Sequence, residues 1–145
     1  MELLKEELLF KRVEDILNLK AKTDEQAKDC QGYDLARRLS MEYWALMDSL
    51  EICILSCGML VKDNNHQSDI MYSGLISNSK ESSAAGKKQA ADNDINYLNS
   101  VNETKKFELY LNYLKNIREN LSNGYDMMKL IYKNEITVLQ MAPKI

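Results

Sequence analysis

One proline, Pro143, and five glycines are the strongest helix breakers in a chain of 145 residues. Average usage would supply about seven prolines and ten glycines. Turn-dense folds such as many-stranded sandwiches need these residues at every turn. A chain interrupted so rarely can run in long helices. Hydrophobic residues make up 45% and charged residues 28%, an ordinary globular balance. A domain of this length buries roughly two-thirds of its unfolded surface, so it needs no disulfide or metal to hold a core. The expected fold class is all-α: a helical bundle of three main helical segments in a single domain, with one or two long helices, and oligomeric.

The hydrophobic period places the segments. The first helix runs from about 2 to 20, with Leu3, Phe10, Val13 and Leu17 on one stripe. Leu4, Leu8 and Leu19 lie on another side, a two-faced pattern that one small bundle hardly buries. Those three leucines are therefore the candidate oligomer interface. Thr23-Asp24-Glu25-Gln26 has the form of a capping box and predicts a second helix over about 24–62. Its heptad sets are Ala36, Tyr43, Leu50 and Cys57, with Leu39, Leu46, Cys53 and Leu60. Polar and Ser/Ala/Lys-rich composition predicts a connecting segment over 63–91. A last helix over about 92–140 is capped by Asp92 or Asn93. Phe107, Leu114, Leu121 and Met128 form its main stripe. A bend is expected near Asn102–Lys105 and a break near Asn123-Gly124.

The chemistry-bearing residues are few. One histidine and three cysteines, in no recognised metal spacing, point away from a zinc site or a His-based triad. Cys53 and Cys57 lie one turn apart on an apolar stripe and read as small buried hydrophobes. His66 sits in the expected loop with no nucleophile assigned to it. The pairs Glu6-Glu7 and Glu14-Asp15 are sequence neighbours that point apart on a helix, so neither makes a dyad. No catalytic residue, metal, cofactor or small-molecule substrate is expected. Arg118 holds a core-phase position between Leu114 and Leu121. A guanidinium there must reach solvent, fix register at an interface, or meet a ligand. Net charge is −3, which opposes a general nucleic-acid coat. Lys80, Lys87, Lys88, Lys105 and Lys106 nevertheless form a diffuse basic stretch. With Tyr72, Tyr97, Tyr110 and Tyr113 they are candidates for a single-stranded DNA track. The acidic N-terminus lacks the pattern of a signal peptide. The longest apolar run, Ile52 to Val61, is short for a membrane span. A reduced, cytoplasmic setting without membrane contact is the expectation.

Tyr72-Ser73-Gly74, Ala91-Asp92-Asn93-Asp94-Ile95, and Leu121-Ser122-Asn123 with Lys129 together make the stretch from Tyr72 to Lys129 resemble the UvsY-type recombination mediators of T-even-like phages. Tyr72-Ser73-Gly74 is similar to the Tyr-Ser-Gly ahead of that family's connecting segment. Ala91-Asp92-Asn93-Asp94-Ile95 is similar to its Ala-Asp-x-Asp-aliphatic helix start. Leu121-Ser122-Asn123 and Lys129 are similar to its closing helix. The resemblance implies a ring-forming helical protein that binds single-stranded DNA and loads a recombinase. That family's basic helix ahead of Tyr-Ser-Gly is replaced here by the apolar run Ile52–Val61, with Arg37 and Arg38 distant. The implied DNA contact therefore falls to the five lysines. The functional expectation is a non-enzymatic oligomeric adaptor with a protein partner, acting as a phage recombination mediator. The alternative is a virion structural protein, or an acidic phage inhibitor that docks on a host protein through a helical face.

Overall fold

The computed structural model describes residues 2–141. It is all-α, with 88% helix in four helices and no strand among the described residues. The order is α1 (Glu6–Ala27), α2 (Tyr33–Ser77), α3 (Ala84–Asp92) and α4 (Ile95–Met141). At 45 and 47 residues, α2 and α4 are each about 70 Å long. The chain divides into two compact units. Unit 1 takes the residues up to Ile54 and those from Tyr113 onward; unit 2 takes Leu55–Asn112. Both α2 and α4 contribute a segment to each unit.

In unit 1 the core is built from Leu9, Val13 and Ile16 of α1, Leu39, Tyr43, Leu46 and Leu50 of α2, and Leu114, Leu121 and Met128 of α4. Burying each large aliphatic side chain contributes about 1.5–3 kcal/mol. The heptad sets read from α2 supply this core as far as Cys53, and Leu114, Leu121 and Met128 supply it from the main stripe of α4; Cys57 and Phe107 are buried in unit 2, and Leu60 is half-buried. On α1 the buried stripe is Leu9, Val13 and Ile16, whereas Leu3 and Phe10 of the expected stripe are exposed.

Thr23 does not cap a second helix. α1 continues past it to Ala27, and Thr23 is buried. Its hydroxyl donates to the Leu19 carbonyl at 3.0 Å, with Glu42 Oε2 at 3.4 Å. Gln26 accepts instead from Arg38 at 2.7 Å. Tertiary partners on α2 outcompete the local cap. The chain turns at 28–32, where Ala36 N–H donates to the Gly32 carbonyl as α2 begins.

The expected connecting segment over 63–91 is largely helix. α2 runs on to Ser77, and α3 occupies 84–92. No proline interrupts Lys62–Ser77, and the Asn-rich stretch costs only tenths of a kcal/mol per residue in propensity. Packing within unit 2 offsets that cost. The Ser68 and Ser100 hydroxyls lie 2.5 Å apart, and the Tyr72 and Tyr97 rings pack at 5.0 Å. Ser83 caps α3 by accepting from Gly86 N–H at 3.0 Å. Asp94, rather than Asp92 or Asn93, caps α4 by accepting from Tyr97 N–H at 3.0 Å.

α4 is unbroken at Asn123-Gly124 and at Asn102–Lys105. A Cβ at Gly124 would meet Tyr43 Cζ at 2.7 Å, so the glycine serves close helix approach rather than a turn. The Tyr43 hydroxyl donates to Asp24 Oδ1 at 2.6 Å, and Lys20 pairs with the other oxygen at 2.6 Å. Burial, and then the Asp24 carboxylate, push the Tyr43 phenol far above its ordinary range. The folded-state pKa is therefore above the unfolded value of about 10. Above that pH the unfolded chain sheds a proton that the folded one keeps. Stability is full below about pH 10 and falls as pH rises toward the folded value. Tyr43→Phe is expected to flatten this alkaline decline, measured as melting temperature between about pH 8.5 and 11.

Candidate functional site

The two cysteines of the α2 stripe are placed to be unreactive. Cys53 and Cys57 are buried and unbridged. The Cys53 thiol donates to the Ser49 carbonyl at 3.7 Å and the Cys57 thiol to the Phe107 carbonyl at 3.4 Å. Burial raises both thiol pKa values, that of Cys57 to about 11. A thiol held protonated is a poor nucleophile and metal ligand. His66 stands on the exposed side of α2 rather than in a loop. Glu6, Glu7, Glu14 and Asp15 are all solvent-facing on α1. No group of three or more His, Cys, Asp or Glu side chains able to hold a metal ion occurs among the described residues.

The five lysines fall in unit 2 with Tyr72, Tyr97 and Tyr110, while Tyr113 belongs to unit 1. Lys80 precedes α3, Lys87 and Lys88 lie on it, and Lys105 and Lys106 lie on α4. Lys87 is half-buried and the other four are exposed. Lys106 sits 3.8 Å from Glu103. Tyr72 and Tyr97 pack on each other, and the Tyr72 hydroxyl bonds to Asp92. Lys106 lies roughly 180° from Tyr97 around α4 and on the same face as Tyr110, four residues on. Residues 55–112 hold six lysines against seven carboxylates. The formal net charge of that unit is therefore −1.

Arg118 is half-buried at the rim. It reaches from α4 to Glu51 on α2 at 3.4 Å, so a carboxylate within unit 1 answers its charge. An exposed pair of this kind contributes at most about 1 kcal/mol.

The apolar surface is more distinctive. Leu8 and Leu19 of α1 are exposed, and Leu4, ahead of the helix, is half-buried. Leu19 borders a hollow of about 400 Å³ between α1 and α2, walled also by Lys22, Ala45 and Leu46. Met41 and Trp44 stand in solvent on α2 nearby in sequence. On α4, Met127 and Leu130 are more than half exposed. Sequence reasoning found the α1 leucines and missed the α4 face, whose apolar residues are interspersed with asparagines. Among the described residues one helix, α2, is long and apolar enough by length and composition to cross a membrane. It is a continuous element, not the ten-residue run read from sequence. It also supplies Leu39, Leu50 and Cys53 to the core, and core helices meet the same criterion.

Comparison with known protein families, curated proteins and solved structures finds no match.

Proposed function

We propose that this chain is a non-enzymatic helical adaptor that acts by contact with other proteins, with self-association as part of its working state. One observation carries the reading. Helices that already supply a core on one face leave large apolar side chains in solvent on another: Leu8, Leu19, Met41, Trp44, Met127 and Leu130. Met41 with Trp44, and Met127 with Leu130, are neighbours three residues apart on a helix, and adjoining exposed apolar side chains mark contact sites where single ones do not. The buried, protonated thiols support a role without covalent chemistry.

A narrower version is recombination mediation on single-stranded DNA, as the resemblance from Tyr72 to Lys129 implies. The exposed lysines gathered in unit 2 favour it. Since carboxylates balance them, attraction has to come from a local patch repeated by oligomerisation. A virion part or an inhibitor of a host protein uses the apolar faces and needs no lysine. Titration of a fluorescent single-stranded oligonucleotide at two salt concentrations separates these readings. A protein-contact adaptor gives no saturable binding. A mediator binds, and its binding falls with salt. Replacing Lys87, Lys88, Lys105 and Lys106 by alanine then lowers the salt slope by about 0.7 per lost phosphate contact.

A further inference from the structure

The C-terminal half of α4 carries a second repeat beside its buried one. Leu114, Leu121 and Met128 are buried in unit 1. Positions 116, 120, 123, 127, 130, 134, 137 and 141 recur at alternating spacings of four and three, roughly 150° around the helix from the buried set. All eight are exposed, Met127 at 63%, Leu130 at 60% and Met141 at 78%. None is charged, on a chain that is 28% charged. A solvated helix face is where charge ordinarily collects. Four-three spacing is the pattern of a coiled-coil seam; here Met127, Leu130 and Met141 are its apolar members and four asparagines and a threonine the rest, so the contact is centred on Met127 and Leu130. This seam is about 40 Å long.

Resting on the adaptor reading above, we infer that a second copy of this chain covers this face, α4 pairing antiparallel with α4 about a two-fold axis between Met127 and Leu130. The flanks of the seam decide the direction. One flank is Ile117, Gly124 and Ile131, on the side of the unit 1 core: Ile117 is buried and Gly124 lies under the Tyr43 ring. The other flank is Glu119, Asp126 and Lys133, all exposed. Parallel pairing would set the charged flank of one copy against the covered flank of the other. Antiparallel pairing sets charged flank against charged flank.

The same charges decide the register. With the axis between Met127 and Leu130, these two side chains meet across the centre. Asn123 of each copy meets Asn134 of the other. Asp126 then faces Lys133 of the second copy, twice by symmetry. Shifting the register by seven residues one way opposes Asp126 to Asp126; the other way it opposes Lys133 to Lys133. Only the central register is complementary throughout. The seam's lack of cations also makes it unsuited to a phosphate backbone.

Two measurements test this. Asn123→Cys and Asn134→Cys variants are oxidised separately and as a mixture; the native cysteines are buried and serve as the background control. The mixture is expected to give a cross-linked dimer and each variant alone almost none. Asp126→Lys and Lys133→Asp are each expected to weaken dimerisation about tenfold in sedimentation equilibrium, and the double variant to restore it. Cross-links within single variants, or charge reversals without effect, overturn the inference. Wild-type self-association that fails both tests places the contact on another face and leaves the adaptor reading standing. A chain that stays single at all concentrations overturns the inference and the self-association in that reading together.

Discussion

Leu50→Ala is expected to lower stability by about 3–5 kcal/mol, the upper range for removing a buried leucine. Leu50 is fully buried near the end of the unit 1 segment of α2. It has no route to solvent, and helices on either side limit how far the cavity can collapse. Leu46, one turn earlier in the same heptad, is the informative contrast. It is 6% exposed and borders the open hollow between α1 and α2. Water can enter the space that Leu46→Ala leaves, so its cost should sit near 2 kcal/mol. Chemical denaturation at constant m-value checks both. Equal costs would contradict the placement of the hollow.

The second large effect runs against helix propensity. Gly→Ala inside a helix ordinarily stabilises by about 1 kcal/mol. At Gly124 the added methyl would lie 2.7 Å from Tyr43 Cζ and 2.8 Å from Cε1. The ring cannot step aside cheaply, because Tyr43 is buried and its hydroxyl is tied to Asp24. Overpacking of this kind costs about 1–3 kcal/mol. Gly124→Ala is therefore expected to destabilise by about 1–2 kcal/mol net, and Gly124→Leu by about 3 kcal/mol or more. In a Tyr43→Leu background the obstruction is gone, and Gly124→Ala should become neutral or stabilising. That change of sign is a coupling a double-mutant cycle reads directly. A Gly124→Ala variant that stabilises the wild-type protein would show that the ring moves freely.

How far the fold was legible follows from which signals were local. The period of Leu39, Leu46 and Leu50, and that of Leu114, Leu121 and Met128, identifies helix faces without knowledge of their partners. Thr23 was misread because its capping pattern is real locally and loses to Glu42 and Tyr43, which arrive from another helix. Asn123-Gly124 reads as a break because glycine's usual roles are turns; its role here depends on a tyrosine eighty residues away. Residues 63–69 look like a loop by composition, yet Ser68 of that stretch of α2 meets Ser100 of α4. The exposed lysines and the leucines of α1 were visible as residue types. Their grouping was not, since that depends on which face each helix turns inward. The seam on α4 was the least legible. Its asparagines dilute the hydrophobic period, and its exposure follows only once Leu114 and Leu121 are known to be buried.

The central claim is that the solvent-facing apolar surface exists to be covered by protein. Its most direct test is the molar mass of the wild-type chain by sedimentation equilibrium from low to tens of micromolar, beside Leu130→Lys. Leu130 is exposed, so the substitution should leave the fold's melting temperature within a few degrees, as expected of surface changes. The account predicts a wild-type mass that rises above one chain of 16.7 kDa with concentration, and a variant that stays at one chain. A wild-type protein that holds the mass of one chain across the whole range would contradict it.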